Sequence, residues 1–434
     1  METARFKAVK LLGKTFSKNG YSNIVLDSAL SASNMDVRDK KLCSAVYYGV
    51  IERKITLDYI ISCYSRQKLE KLRPDVLNIL RTGIYQIKYM DSVPDSASVN
   101  ESVKLAKQMK LGNLSGFINA VLRNFLRDNK EIKLPDGKIQ KLSVEYSASE
   151  ELVKHLIDNY GEENAVSLLE NSVGRPPVTI RLNTLKCSAE EILEKISDLE
   201  PVQTILEDCY TVNTGNVTEH AAFRKGLFHV QDMSSQLCCT ALSPQSGETV
   251  LDLCAAPGGK SFTMAEMMKD SGKIFSFDLH ENRVRLIQSG AERLNIKNIT
   301  AKTGNALEHY TELEGADKIL CDVPCSGFGV IRRKPEIKYK KLSEFEKLPE
   351  IQYGILENAA SYLRIGGELV YSTCTVNPEE NENVVNRFLK EHKSFKGISF
   401  LESYGEPFGG HTATLFPKHF GSDGFFIAKL IRTE

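Results

Sequence analysis

Two cysteines stand just past the ends of apolar runs: Cys325 after DKILCDVP (317–324) and Cys374 after GELVYST (367–373). A side chain at the carboxyl end of a buried strand can face a ligand instead of the core. As a thiolate it is a nucleophile, able to form a transient covalent bond that divides one hard reaction into easier ones. The plain alternative is that both are inert buried thiols, the usual state of an isolated cysteine in an apolar setting. The paired strand-end placement argues against it. Spacing alone does not choose which thiol attacks.

A third stretch, DLCAAPGGKS (252–261), joins a strand to a helix through small residues and two adjacent glycines. Such a loop lets a bound molecule approach the backbone and meet a helix N-terminus. It is not a P-loop, which requires glycine where this chain has Cys254, and no G-x-G-x-x-G occurs. Asp278 ends the next strand, about twenty residues past the glycines. A carboxylate there can accept from both hydroxyls of a ribose, or can cap the helix beginning near Glu281. Loop and acid together favour a nucleoside held without a diphosphate, and S-adenosylmethionine has that chemistry.

The elements that must position these groups follow a rhythm of strand, glycine turn and helix from about residue 236. Strands are expected at 249–254, 273–279, 299–305, 317–323, 367–374 and 424–431. Amphipathic helices such as ENRVRLIQSGAERLN alternate with them, which argues for a parallel sheet covered on both faces. The section 141–235 is mixed: two helical stretches parted at Gly161, then alternation in PPVTIRLNTLK with Val178, Ile180 and Leu182 on one face. Residues 1–135 read as helix after helix, with Pro74 at a helix start and Leu77, Leu80, Ile84 and Ile87 at helical spacing. The class is α/β: a Rossmann-like domain (236–434) preceded by an all-helical domain (1–135) and a small α+β module (141–235).

With 434 residues the chain exceeds one core, and no apolar run reaches the roughly 20 residues a bilayer span needs. The N-terminus lacks the features of a signal peptide, so a cytoplasmic protein with reduced thiols and no membrane association is expected. No C-x-x-C pair occurs and no histidine stands at zinc-finger spacing from a cysteine, so no metal is expected. The 56 basic and 56 acidic residues cancel, so bulk charge announces no nucleic-acid partner. Locally, RRKPEIKYKK (332–341) carries six basic residues against one acidic, and begins seven residues after Cys325. Such a run is either a solvated face or a phosphate-contacting rim.

The strings DLCAAPGGK, DVPCSGFGVIRRKPEI and VYSTCT, supported by TIRLNTLK, FHVQDMSSQL and LFPKHFGSDGFFIAKL, resemble the RNA cytosine-C5 methyltransferases. Within them the likeness is to the RsmB (Sun, Fmu) family acting on bacterial small-subunit rRNA. The helical part, through DKKLCSAVYYGVIERKITLDYII and GFINAVLRNFL, resembles the NusB RNA-binding fold. The resemblance covers essentially the whole chain. It implies a 16S rRNA (cytosine-C5)-methyltransferase of the cytosine-967 type, monomeric and dependent on S-adenosylmethionine. A tRNA enzyme of the same chemistry and a non-catalytic RNA-binding assembly factor are the alternatives, the latter disfavoured by the intact cysteine pair.

Residue by residue, the resemblance implies that Cys254, Ala255, Ala256, Pro257, Gly258, Gly259 and Lys260 surround the cofactor, with Asp278, Arg283, Asn305 and Asp322. Asn305 departs from the acidic residue usual there; its oxygen can still accept from an adenine amino group, without the charge. Cys374 is implied as nucleophile and Cys325 as the thiol that helps release product. Addition of a thiolate to C6 would break the conjugation of cytosine and make C5 enamine-like. Asp322 is a candidate to protonate or hydrogen-bond N3, with turn capping as its alternative. Lys260 is either structural or a means of lowering a thiol pKa, and the residues do not decide between these. Arg332, Arg333, Lys334 and Lys338 are the candidate RNA contacts, because the target base must leave its stack to reach a buried thiol.

Overall fold

In a computed structural model, residues 3–18, 22–213 and 216–434 are described. The chain divides into two compact units: residues 1–173 with 331–342, and residues 174–330 with 343–434. Among the described residues no helix is long and apolar enough to cross a membrane.

The first unit is helical. Pro74 opens the helix Pro74–Tyr89 at its first turn, where its missing N–H has no partner to lose, and Leu80, Ile84 and Ile87 are buried as the spacing predicts. The helix Ser115–Arg127 buries Ile118, Val121, Leu122 and Phe125 on its inner face. Helices Lys138–Tyr146 and Glu150–Glu170 also belong to this unit, and Gly161 at φ 75° parts the second into two arms, the break expected from sequence.

The basic run behaves differently from expectation. Lys338 is not a surface phosphate contact: it is wholly buried in the helical unit. Its ammonium donates to the carbonyls of Glu52 and Tyr146, both at 3.0 Å. These are the last residues of the helices Val37–Glu52 and Lys138–Tyr146, so one cation satisfies orphan carbonyls of two helix ends. Tyr339 works beside it, its hydroxyl donating to Ile51 O and accepting from Lys54 N. A charge run looks solvated in sequence, but burial depends on what meets it in space. Lys334 is exposed, and Arg332 and Arg333 are half-buried.

Burial pulls the Lys338 pKa down to about 7, with Glu52 opposing and Arg53 assisting. The free amine of an unfolded chain titrates near 10.5, so between pH 7 and 10.5 the unfolded state holds more protons and stability rises with pH. Lys338→Met leaves two buried carbonyls unpaired and is expected to cost about 3 kcal/mol. The gap from wild type should widen from pH 7 to pH 9 in urea unfolding; a gap that narrows would contradict this account.

In the second unit, β1 (Val178–Leu182), β2 (Val202–Gln203), β3 (Cys209–Val212) and β4 (Phe228–Val230) form an antiparallel sheet in the order β2-β3-β1-β4. Ile180 and Leu182 are fully buried on one face. From the other, Arg181 reaches Glu266 at 2.7 Å, on the helix Gly259–Met267. Asn183 donates to Leu294 O at 2.8 Å. The small sheet is thereby tied to the two helices that follow the first two strands of the larger one.

The larger sheet comprises β5 (Thr249–Asp252), β6 (Lys273–Asp278), β7 (Ile299–Thr303), β8 (Ala316–Asp322), β9 (Leu363–Thr373), β10 (Phe395–Gly397), β11 (Thr412–Leu415) and β12 (Phe425–Arg432). Their order is β10-β12-β9-β8-β5-β6-β7, with β11 paired to β12. The strands β7-β6-β5-β8-β9 are parallel. The final strand is not: β12 runs antiparallel to β9, with Phe426 opposite Thr373, so an antiparallel edge completes a parallel sheet. The chain passes from β5 outward to β6 and β7, then returns to the far side of β5 as β8. That reversal is the topological switch point, and ligands bind beyond the carboxyl strand ends there.

Candidate active site

Four chemically able side chains mark those ends: Asp252 on β5, Asp278 on β6, Asp322 on β8 and Cys374 directly after β9. Because β8 and β9 are adjacent, with Asp322 opposite Ser372, the loops that follow them are neighbours. The Cys325 and Cys374 sulfurs lie 3.2 Å apart, both half-buried. Sequence suggested each thiol separately; the strand pairing joins them.

A backbone contact holds the two loops together. Gly329 N donates to Cys374 O at 3.1 Å, and Gly329 O accepts from Gly424 N at 2.9 Å. A Cβ on Gly329 would stand 1.9 Å from Gly424 O and 2.9 Å from Cys374 O, so only glycine permits this approach. Gly329→Ala is expected to destabilise this unit by about 2 kcal/mol, since the atoms it meets are backbone. Urea unfolding measures it; an unchanged midpoint would mean that the loops part without cost.

Asp322 is held from two sides. Lys260 Nζ stands 2.7 Å from its Oδ2, and Ser372 Oγ donates to its Oδ1 at 3.0 Å. Lys260 also donates to Ser235 Oγ at 3.2 Å and lies over the Phe425 ring. Burial alone would pull the Lys260 pKa down; the Asp322 charge, with the Cys238 and Cys239 thiols, outweighs it and holds the ammonium charged. The hydrogen bonds of Lys260 go to Asp322 and Ser235, so it fixes the carboxylate. Ser235 and Phe425, which meet Lys260, and Ser372, which meets Asp322, were not singled out in sequence, because nothing local marks a contact made only after folding.

The two thiols titrate as a coupled pair. Cys325 is pushed well above an ordinary thiol, first by its hydrogen bond to Cys374, then by burial, then by the charges of Cys374, Glu380 and Asp322. In a pair in contact, charge on one sulfur holds the proton on the other. The remaining cysteines near the sheet differ: burial raises Cys238, Cys239, Cys254 and Cys321, so they are poor nucleophiles.

The glycine loop after β5 turns back on itself. Gly258 takes φ 109°, a conformation side chains rarely adopt, and precedes the helix Gly259–Met267. Ala255 N donates to Phe277 O at 2.7 Å and Gly258 N to Ala255 O at 2.8 Å. Asp252 is wholly buried; burial pushes its carboxyl up to about 7, opposed first by the hydrogen bond from Ser261 Oγ at 2.7 Å. Asp252 thus anchors the loop and its helix.

Arg283 links the loop to the second acid, with Nη1 3.0 Å from Asp278 Oδ2 and Nη2 donating to Ala256 O at 2.8 Å. Asp278 also accepts from His280 N at 3.1 Å, the helix-entry contact that sequence offered as its alternative role. Each of its oxygens retains a further acceptor position. Just beyond, Leu279 is 59% exposed. Asn305 Oδ1 accepts from Leu307 N, and its amide donates to Glu308. Near Asn305, Leu307 is also half exposed. The acid ends β6 and the amide follows its neighbour β7, each with an exposed leucine close by in sequence. The exposed leucines were missed in sequence, where Leu279 closes an expected strand and Leu307 follows one with no local mark.

Among the described residues no group of three His, Cys, Asp or Glu is placed to hold a metal ion. The arrangement offers two thiols in contact, a carboxylate held by a lysine, and a glycine-turned loop at the switch point.

Residues 239–431 match the family model for 16S rRNA methyltransferase RsmB/F, residues 2–127 that of the NusB family, and residues 150–203 that of the RsmF/B-like ferredoxin-like domain. The probable ribosomal RNA small subunit methyltransferase B of Bacillus subtilis is 37% identical, over 98% of this chain and 97% of that relative. Its namesake in Synechocystis is 33% identical over 99% of both chains. Among solved structures, PH0851 superposes with a TM-score of 0.81 at 25% identity, covering 99% of this chain and 98% of that one. A methyltransferase homolog from Pyrococcus horikoshii gives 0.60 at 28% identity, over 69% of this chain and 100% of that one.

Proposed function

The chain belongs to the RsmB/F family of 16S rRNA methyltransferases, and from that membership we propose that it methylates C5 of a cytosine in 16S rRNA, of the cytosine-967 type. S-adenosylmethionine is the proposed cofactor, and it supplies an electrophilic methyl group on a sulfonium. The fit rests on the donor set: Asp278 and Asn305 for the sugar and base, Leu279 and Leu307 for the purine face, and the Cys254–Lys260 loop for the remainder. None of these requires a diphosphate.

The observation that carries the reading is the 3.2 Å thiol pair beside a lysine-held carboxylate. Cys374 adds as thiolate to C6 of the cytosine, and the ring electrons move toward N3. Asp322, kept in place by Lys260 and Ser372, is the proposed partner of N3, and in that role it acts in its protonated form, giving a proton to N3 as the ring electrons arrive. C5 then has enamine character and accepts the methyl group. Loss of the C5 proton and departure of Cys374 restore the ring, with Cys325 in contact with the departing sulfur. Arg332, Arg333 and Lys334 remain the proposed phosphate contacts, without Lys338.

The test is a map of 5-methylcytosine in 16S rRNA and tRNA from cells with and without the protein. One 16S cytosine should lose its methyl group when the protein is absent. Loss from tRNA instead would replace the substrate, and identical maps would remove the catalytic reading.

A further inference from the structure

We infer that Glu380 is the positioning residue that makes the two thiols unequal, tying both catalytic loops together and keeping the proton of the pair on Cys325. The inference rests on the catalytic roles proposed above and deepens them. Glu380 lies in the short turn Pro378–Glu380 and is completely buried. Its Oε2 accepts from Ser326 N and from Gln352 Nε2, both at 2.9 Å, and its Oε1 accepts from Asn377 Nδ2 at 2.9 Å. Three donors and no acceptor surround the side chain, the environment of an ionised carboxylate. Ser326 is the residue after Cys325, so the charge is built against the Cys325 loop.

The same turn grips the other loop. Asn381, also completely buried, accepts from Thr373 Oγ1 at 2.6 Å and donates to Thr375 O at 3.0 Å. Those residues flank Cys374. Ser326 Oγ and Thr375 Oγ1, at 2.7 Å, close the bracket between the loops. Tyr371 donates to Glu380 O at 2.6 Å, locking the turn to β9. One buried anion therefore sits at the Cys325 side of a contacting thiol pair, and an anion opposes loss of a proton from the nearer sulfur.

The titratable groups facing the pair are Glu380 and Tyr371, and Asp322 with its partner Lys260. Among these groups in the described residues, it is Glu380 whose side chain bonds the backbone next to Cys325, at Ser326 N. The effect is a division of labour set before substrate arrives: Cys374 carries charge and attacks, while Cys325 keeps a proton for the later step.

The experiment is alkylation of the full-length protein by iodoacetamide across pH, without RNA or cofactor, with the two cysteines quantified separately by mass spectrometry. In wild type, Cys374 should react at lower pH than Cys325. Glu380→Gln is nearly isosteric, and rotation of the Asn377 amide, whose oxygen is buried without a partner, can satisfy the new NH2. In this variant the midpoint of Cys325 alkylation should fall by about one pH unit and the gap between the thiols close. Glu380→Asp retains the charge and should restore the gap, a rescue that also serves if Glu380→Gln folds poorly. An unchanged gap in a folded Glu380→Gln protein, or the same collapse in Glu380→Asp, overturns the inference. Because no RNA is present, a collapsed gap upholds this inference even if no 5-methylcytosine is ever found, which would defeat the proposed reaction alone.

Discussion

Cys374→Ala is expected to abolish methyl transfer, lowering the single-turnover rate by at least about 10,000-fold, and to eliminate any covalent protein–RNA complex. The size follows from the task. Without addition at C6, C5 remains part of a stable ring and has no lone pair to offer. No neighbouring group can substitute. Cys325 is the nearest sulfur, but its proton is held by Cys374, by burial and by Glu380. Cys238 and Cys321 are fully buried. The assay is transfer of labelled methyl into 16S rRNA, with RNA and cofactor binding measured in parallel to show that the site is intact. An alanine variant that methylates at the wild-type rate would remove covalent catalysis from the account.

Cys325→Ala should produce the opposite fault. Addition and methylation proceed, because Cys374 is still present, but turnover falls by about 100-fold or more and a denaturant-resistant protein–RNA complex accumulates. The sulfurs are 3.2 Å apart, so Cys325 contacts the bond that must break. Alanine there removes the proton-carrying thiol and leaves the adduct without its partner. Gel mobility after heating in denaturant reads the complex directly, and a ribonuclease digest followed by mass spectrometry locates it on Cys374. If the complex accumulates in Cys374→Ala and vanishes in Cys325→Ala, the two roles are exchanged.

The two variants also bear on why the pair is built in contact. A single thiolate at a strand end could attack, but its reversal would depend on solvent. Two thiols sharing one proton form a coupled system, in which charge on one sulfur holds the proton on the other. Gly329, pressed between Cys374 O and Gly424 O, lets the loops approach closely enough for that coupling.

Much of this site was legible one element at a time. The strand ends at Asp322 and Thr373 fall one residue before the expected ones, and the turn of Gly258 and Gly259, the helix opened by Pro74 and the break at Gly161 appear where sequence placed them. Each rests on a local signal: an apolar run that stops, a glycine with positive φ, a proline at a first turn. Lys338 shows where such signals fail. Six basic residues in ten suggest a surface, yet this ammonium lies buried on the carbonyls of two helix ends far away in sequence. The direction of β12 is not legible for a related reason, since an apolar strand carries no mark of whether it runs with or against its neighbour.

The succession of strands, turns and helices, and the presence of thiols and acids at strand ends, follow from short-range patterning in the chain. Periodicity and backbone preference act over a few residues and need no partner. Which groups meet is a different matter. That Cys325 touches Cys374 across 49 positions, that Lys260 pairs with Asp322 across 62, and that Glu380 closes on Ser326 across 54 are consequences of the strand order β5-β8-β9 and of the turn behind it. Those distances, and the inequality of the thiols proposed from them, arise only when the sheet assembles, because charge and proton sharing decay over ångströms and have no counterpart along the chain.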